Sequence, residues 1–337
     1  MSYRQDHFGL TEPIDLSRLA SDIEHALPRV HRYAAATPLF HLARLDSMIA
    51  GRVFLKAECL QATGSFKIRG ALNVMSQLRE QQHVDRVVAF SSGNHGIGVA
   101  YAGRCLGMHA TVVIPLDAPA TKVARIKALG ADIVFYDRLK QDREEVAMDL
   151  QQSLSGVLVK PYDDWATIAG QGTCALEAFE QTGHGFDSVI VCTGGGGLAA
   201  GMGTSLRARD ERTQVFTAEP RGWDDHRLSL SLGRRTPAPA TGSDWCDGLL
   251  APTPGELTFG INRANGASGL SVEDEEVFRA MQLMYLTLGI RLEPSGAVAL
   301  ASLISYPEKF RAQRVLVTLT GGNVDDQKFT DAMRLAG

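Results

Sequence analysis

Neither sign of charge is gathered into a run in this 337-residue sequence, where 34 Lys and Arg face 38 Asp and Glu. A nucleic-acid partner would call for a basic stripe, so none is expected. Cysteine is scarce: Cys59, Cys105, Cys174, Cys192 and Cys246 are odd in number, widely spaced and never in a C-x-x-C pair. That leaves no basis for a disulfide framework or a thiolate zinc site, and it fits reduced thiols in a cytoplasm. Long apolar runs are missing as well. The one long uncharged stretch, Ser188–Leu206, contains six glycines, four of them consecutive, which suits a strand, loop and helix better than a lipid-facing span. The opening MSYRQDHFGLTEPIDLS mixes charges and has no apolar core, so no secretory signal is expected. Repeats and low-complexity tracts are absent. What the chain does have is glycine, 34 residues against an average of about 7%, and a length that suggests two domains at roughly 150 residues each.

From about Val84 short β-rich runs alternate with amphipathic stretches. VVAF (Val87–Phe90) precedes a helix through Val99–Leu106, ATVVI (Ala110–Ile114) a helix over Thr121–Leu129, and DIVFY (Asp132–Tyr136) a helix near Arg143–Leu154. Such alternation means βαβ units and a parallel sheet, since a parallel connection needs a crossover. The pattern then restarts with a helix around Thr167–Thr182, SVIVC (Ser188–Cys192), a helix from Leu198 to about Arg209, and QVFTAE (Gln214–Glu219). Residues 221–255 read as a long loop. A helix over Val272–Leu288 with Ser271 as N-cap, another near Ser295–Ser305, and the strand VLVTLT (Val315–Thr320) complete the pattern.

Four segments carry chemistry. In TGSFKIRGALN, Thr63–Ser65 break the chain just before Phe66 and Lys67, so Lys67 sits at a turn feeding a helix and can project into a cleft. SSGNHG (Ser91–Gly96) follows a strand and precedes a helix, where small residues and the helix N-terminus favour an anion such as a carboxylate. Thr193–Gly197 repeats that arrangement with four glycines, whose N–H groups make a phosphate cradle. In LTGGN (Leu319–Asn323) a strand end delivers the Thr320 hydroxyl. One competing reading is a dinucleotide site, because Gly195, Gly197 and Ala200 match G-x-G-x-x-A and Glu219 lies about 20 residues on.

Together TGSFKIRGALN, SSGNHG, GGGGLAAG, LEPSGA and LTGGNVD, in order from about Thr37 to Asp325, resemble the fold-type II pyridoxal-phosphate enzymes of the serine/threonine dehydratase and serine racemase family. The resemblance implies a fold of the tryptophan synthase β type: two open, twisted, mainly parallel α/β domains with the cofactor in the cleft. On that reading residues 1–84 and 161–337 form a large cofactor-binding domain, and residues 85–160 a smaller domain that closes on substrate. It also implies that Lys67 carries pyridoxal phosphate as a Schiff base and that Gly194, Gly195, Gly196 and Gly197 hold its phosphate. Asn94 would meet the ring hydroxyl, Phe66 and Gly248 the ring faces, Thr320 the ring nitrogen, and Glu293 would lie near that edge. The substrate carboxylate would rest on Ser91, Ser92, Gly93, Asn94 and His95. A hydroxyl does not hold the ring nitrogen protonated, which makes the ring a weaker electron sink and favours loss of a β-leaving group over transamination.

Ser92 stands where the racemases and hydroxyaspartate-dehydrating relatives carry serine, and it would act as an acid or base on the face opposite Lys67. Glu219, the Trp223 carbonyl and Asp225 fall where that branch holds Mg²⁺ or Ca²⁺, and all-oxygen ligands suit such hard ions. Gly289 stands where nucleotide-activated racemases have a lysine, so nucleotide activation is not expected. The expected enzyme is a cytoplasmic, homodimeric ammonia-lyase of amino-acid metabolism acting on L-threonine, L-serine or 3-hydroxyaspartate. The alternatives are a serine- or aspartate-type racemase, a nicotinamide-dependent oxidoreductase, and a non-catalytic cofactor carrier. No membrane partner is expected.

Overall fold

The computed structural model describes residues 14–91, 93–118 and 120–337. Most of the charged opening segment and Ser92 therefore lie outside the described residues. Ten strands occur in chain order: β1 (Leu39–Phe40), β2 (Arg52–Lys56), β3 (Arg86–Phe90), β4 (His109–Pro115), β5 (Asp132–Tyr136), β6 (Val157–Leu158), β7 (Ser188–Cys192), β8 (Gln214–Pro220), β9 (Ser268–Val272) and β10 (Arg314–Thr318). They form a six-stranded sheet of order β1-β2-β10-β7-β8-β9 and a four-stranded sheet of order β5-β4-β3-β6. All pairings are parallel except the antiparallel β1–β2 edge. Parallel sheets need cover on both faces, and β7 accordingly buries all five of its residues.

β3 to β6 come from the chain between β2 and β7, so the smaller sheet is built from a stretch interposed between two strands of the larger. The strands that matter for function end towards one cleft. β10 delivers Thr320, β7 the glycine loop and β3 the Ser91 turn, the carboxyl-end placement that open α/β sheets favour for ligands.

Three local expectations change. The helix expected from Val272 begins at Asp274, because Ser271 and Val272 pair with Glu219 and Pro220 as β9. Its cap is a box in which Glu276 accepts the Glu273 N–H at 2.7 Å. The stretch 221–255 contains a helix, Asp225–Leu232, whose buried residues Asp225, His226 and Ser229 are polar, so its period is invisible to a hydrophobicity pattern. Gly96 belongs to the helix Asn94–Leu106 and not to the preceding loop. A Cβ there would come within 2.2 Å of the Ser91 carbonyl, so glycine is what lets the first turn pack on the strand end.

Candidate active site

Lys67 opens the helix Lys67–Gln82. The preceding turn is pinned to the end of β10: the Phe66 N–H donates to the Thr320 carbonyl at 3.1 Å, and Ser65 bridges Gly321. Gly64 takes φ +72°, and a Cβ there would collide with the Asn323 side chain. Two residues on, on the far side of the helix, Arg69 is fully buried, with its guanidinium held 2.7 Å from Glu58 and 3.0 Å from Glu177, and Lys56 also pairs with Glu177. This network anchors the start of the helix and leaves Lys67 facing the cleft. The Lys67 Nζ donates to the Pro161 carbonyl at 2.7 Å and lies 5.2 Å from the Phe66 ring centre. Burial lowers the ammonium to about 8.

Facing it, Gly194–Gly197 lead into the helix Gly197–Arg207. Thr258 Oγ1 donates to the Gly195 carbonyl at 2.6 Å and Asn262 Nδ2 to the Gly196 carbonyl at 3.2 Å. The loop leaves no room for side chains: a Cβ on Gly195 would stand 2.3 Å from the Tyr162 ring, and one on Gly196 2.4 Å from the His226 ring. The first N–H groups of a helix have no partner within it, so this constricted loop offers donors to an anion.

Asn94, the first residue of its helix, donates from Nδ2 to Glu293 Oε1 at 2.6 Å and accepts from Asn323 at 2.6 Å. Asn323 in turn accepts from Arg125. Burial, with Asp247 nearby, raises the Glu293 carboxyl to about 7. Gly248 donates its N–H to Ser295 Oγ at 2.9 Å. His95 is buried, its Nε2 lies 2.9 Å from the Val159 carbonyl, and burial lowers its imidazolium to about 3. Its ring is thus neutral, and it lines the cleft close enough to Lys67 for that charge to add to the lowering. The proposed carboxylate cradle narrows too. The Ser91 N–H is used by the Val113 carbonyl and the Gly93 N–H by Ser91 Oγ, which among the described residues of that cradle leaves the N–H groups of the Asn94 helix start.

These groups line one cleft of about 690 Å³, together with Phe66, Gly248 and Thr320. Both the volume and the phosphate-sized glycine cradle opposite a lysine amine suit pyridoxal phosphate. The cleft also contains residues the sequence reading did not single out: Pro161 and Tyr162, and the cations Lys122, Arg138 and Arg143. The KPYDD stretch that supplies the first two does follow a strand end, which was the available signal.

Glu219, Trp223 and Asp225 lie outside the cleft lining. Glu219 is fully buried, and its two oxygens accept the N–H groups of His226 and Arg227, each at 2.8 Å. This overturns the dinucleotide reading, since a carboxylate wholly buried away from the cleft cannot meet a ribose. Asp225 is also fully buried, and neither of its oxygens has a hydrogen-bond partner. Burial raises both carboxyls, Glu219 well above its usual range with Asp225 as the next cause, and Asp225 to about 7. Two buried carboxylates without a cation are costly, and a hard divalent ion would relieve them. The Trp223 N–H closes a turn onto the Pro220 carbonyl at 3.1 Å. Among the described residues no group of three or more His, Cys, Asp or Glu side chains gathers, so any cation there depends on main-chain oxygen or water for the rest of its shell.

The sequence profile of the family described as "Pyridoxal-phosphate dependent enzyme" matches residues 30–321. The chain is 40% identical over 315 residues to an L-threo-3-hydroxyaspartate ammonia-lyase from a Pseudomonas species, covering 93% of this chain and 98% of that protein. It is 35% identical over 310 residues to the serine racemase of Schizosaccharomyces pombe, covering 91% and 95%. Among solved structures, the serine racemase of Dictyostelium discoideum superposes with a TM-score of 0.84 at 35% identity, covering 91% of this chain and 98% of that one.

Proposed function

Because the chain belongs to the pyridoxal-phosphate dependent enzyme family, we propose that it is an ammonia-lyase that dehydrates 3-hydroxyaspartate, with Lys67 as the residue that binds the cofactor and moves the α-proton. The observation that carries this reading is the buried Lys67 amine, lowered to about 8 and facing the glycine cradle across one cleft. Bound there, pyridoxal phosphate supplies an electron sink for the charge left at the substrate α-carbon. Gly194–Gly197 would hold its phosphate, Phe66 and Gly248 would flank its ring, and Asn94 with Glu293 would meet its polar edge. The Thr320 hydroxyl would meet the ring nitrogen without holding it protonated, a weaker electron sink that would favour loss of the β-hydroxyl.

Lys67, neutral once its amine is free, takes the α-proton. The β-hydroxyl departs with a proton as water, and the resulting enamine hydrolyses to a 2-oxo acid and ammonia. The N–H groups at the start of the Asn94 helix hold the α-carboxylate. A second carboxylate on the substrate is favoured by the cations of the cleft. Lys122 is paired with Asp247 at 3.0 Å and Arg138 with Asp117 at 2.8 Å. Arg143 has no ion pair among the described residues, and its guanidinium stacks 5.5 Å from the Phe90 ring centre. A stacked, unpaired guanidinium is a ready partner for a β-carboxylate.

The orphaned Asp225 beside Glu219 supports a structural Mg²⁺ or Ca²⁺ at that pair. The five unpaired cysteines, four of them buried, suit a reducing cytoplasm. A homodimer is proposed by likeness to the family. No helix among the described residues is long and apolar enough to cross a membrane. Racemisation is the second reading, favoured by the likeness to serine racemases.

The test is a panel of L-threo-3-hydroxyaspartate, L-serine and L-threonine with 2-oxo acid, ammonia and the opposite enantiomer all measured. We expect oxaloacetate and ammonia to form fastest from 3-hydroxyaspartate. Arg143→Ala should raise KM for that substrate by about tenfold or more, the scale of one charge-assisted hydrogen bond, while leaving L-serine nearly unaffected. Opposite enantiomer forming faster than 2-oxo acid would favour the racemase.

A further inference from the structure

His226 is a buried group that the reaction does not use. It is wholly inaccessible, and among the described residues neither ring nitrogen makes a well-aligned hydrogen bond, although the Gly195 main chain lies close enough to favour its charged form. Buried polar groups in that state are few and call for an explanation. Two contacts locate the residue. Its main-chain N–H is held by Glu219 Oε1 at 2.8 Å, directly beside Asp225. Its ring edge lies under Gly196, so close that a Cβ on that glycine would stand 2.4 Å from Cε1 and 2.5 Å from Nε2. Gly196 has φ +90°, and its carbonyl is held from another side by Asn262. The ring therefore lies between the first turn of the helix Asp225–Leu232 and the glycine loop, in contact with Gly196.

We propose that His226 is a positioning residue that couples occupancy of the Glu219–Asp225 pair to the phosphate-holding loop, so that a divalent cation at the pair tightens binding of pyridoxal phosphate. The proposal rests on the cation-site reading above. A cation shared by the two carboxylates fixes the turn that carries His226, and the ring passes that constraint to Gly196 by contact. Ordering the loop before the cofactor arrives removes part of the cost of binding it. By linkage the effect is reciprocal: the cofactor must raise affinity for the cation by the same factor.

The experiment titrates pyridoxal phosphate back into the cofactor-depleted full-length enzyme, with Ca²⁺ or with chelator, following the visible absorbance of the bound cofactor. Thermal melting with and without Ca²⁺ is recorded in parallel. In the wild type we expect Ca²⁺ to raise Tm and to lower Kd for the cofactor by about five- to tenfold, within the usual range of coupling. In His226→Ala Ca²⁺ still raises Tm, but the ratio of the two Kd values falls to about one. His226→Phe, which keeps a ring under Gly196, retains most of the wild-type ratio. Should His226→Ala fail to fold, amide exchange in the wild type decides: Ca²⁺ alone slows exchange over residues 194–199.

Ca²⁺-induced melting shifts with an unchanged Kd ratio in His226→Ala, or with unchanged loop exchange, overturn the coupling and leave the cation site standing. Loss of the ratio in His226→Phe as well overturns the contact mechanism. Absence of any Ca²⁺ effect on wild-type melting overturns the cation reading, and the coupling with it.

Discussion

The Lys67 ammonium is held by a main-chain carbonyl and not by a carboxylate, and that choice sets its chemistry. A carboxylate partner would keep it charged, whereas burial with a neutral partner lowers it to about 8. A proton-accepting amine must be neutral, and Lys67 is free only once substrate is bound, so we expect kcat to climb as pH rises through about 8 and to level off above it. A profile already flat from pH 6 would contradict that assignment. The same shift bears on stability: between pH 8 and the ordinary lysine value the unfolded chain binds the extra proton, so this group's contribution to stability increases with pH across that window. Lys67 was legible in the sequence because a turn-forming TGS precedes it and a helix follows. Tyr162 and His226 were not, since an aromatic residue or a histidine announces nothing until the fold sets it against a glycine.

At the scale of elements, strand ends followed by glycine-rich turns and helix starts build most of the site. β7 and its loop were readable because a run of small residues between a β-branched strand and a helix has few other uses. The helix Asp225–Leu232 was hidden by its polar buried face, and β9 was absorbed into the helical period that follows it. Both elements surround the Glu219–Asp225 pair, which explains why that side was read as residues only and not as structure. Gly196 makes the element-scale claim testable. Alanine there must adopt φ +90° and overlap the His226 ring. Left-handed strain of about 1–2 kcal/mol, if released on loss of the cofactor, corresponds to about five- to thirtyfold in affinity. Gly196→Ala should therefore weaken cofactor binding at least that much, measured by titrating the visible band, with the secondary structure seen by circular dichroism retained. Wild-type affinity in that variant would mean that the loop does not hold the phosphate.

Across the whole molecule, the two sheets meet at the cleft through few but specific bonds. Lys122 pairs with Asp247 at 3.0 Å, Arg125 donates to Asn323, and Asn94 donates to Glu293. Each joins the chain of the four-stranded sheet to loops of the six-stranded one, and opening the cleft would break them, so substrate entry and the order of the reacting edge are linked. Composition and patterning were enough for the class of fold, because alternating strands and helices dictate parallel sheets. They could not show these cross-links, which depend on side chains 125 to 199 residues apart meeting in space. Everything proposed for the cleft requires that Lys67 bear the cofactor. Borohydride reduction of the purified enzyme followed by peptide mass mapping tests this directly. The visible band should be lost, and the reduced cofactor should be found on the peptide containing Lys67. Cofactor mass on another lysine, or a protein that never carries the band, would contradict that role for Lys67.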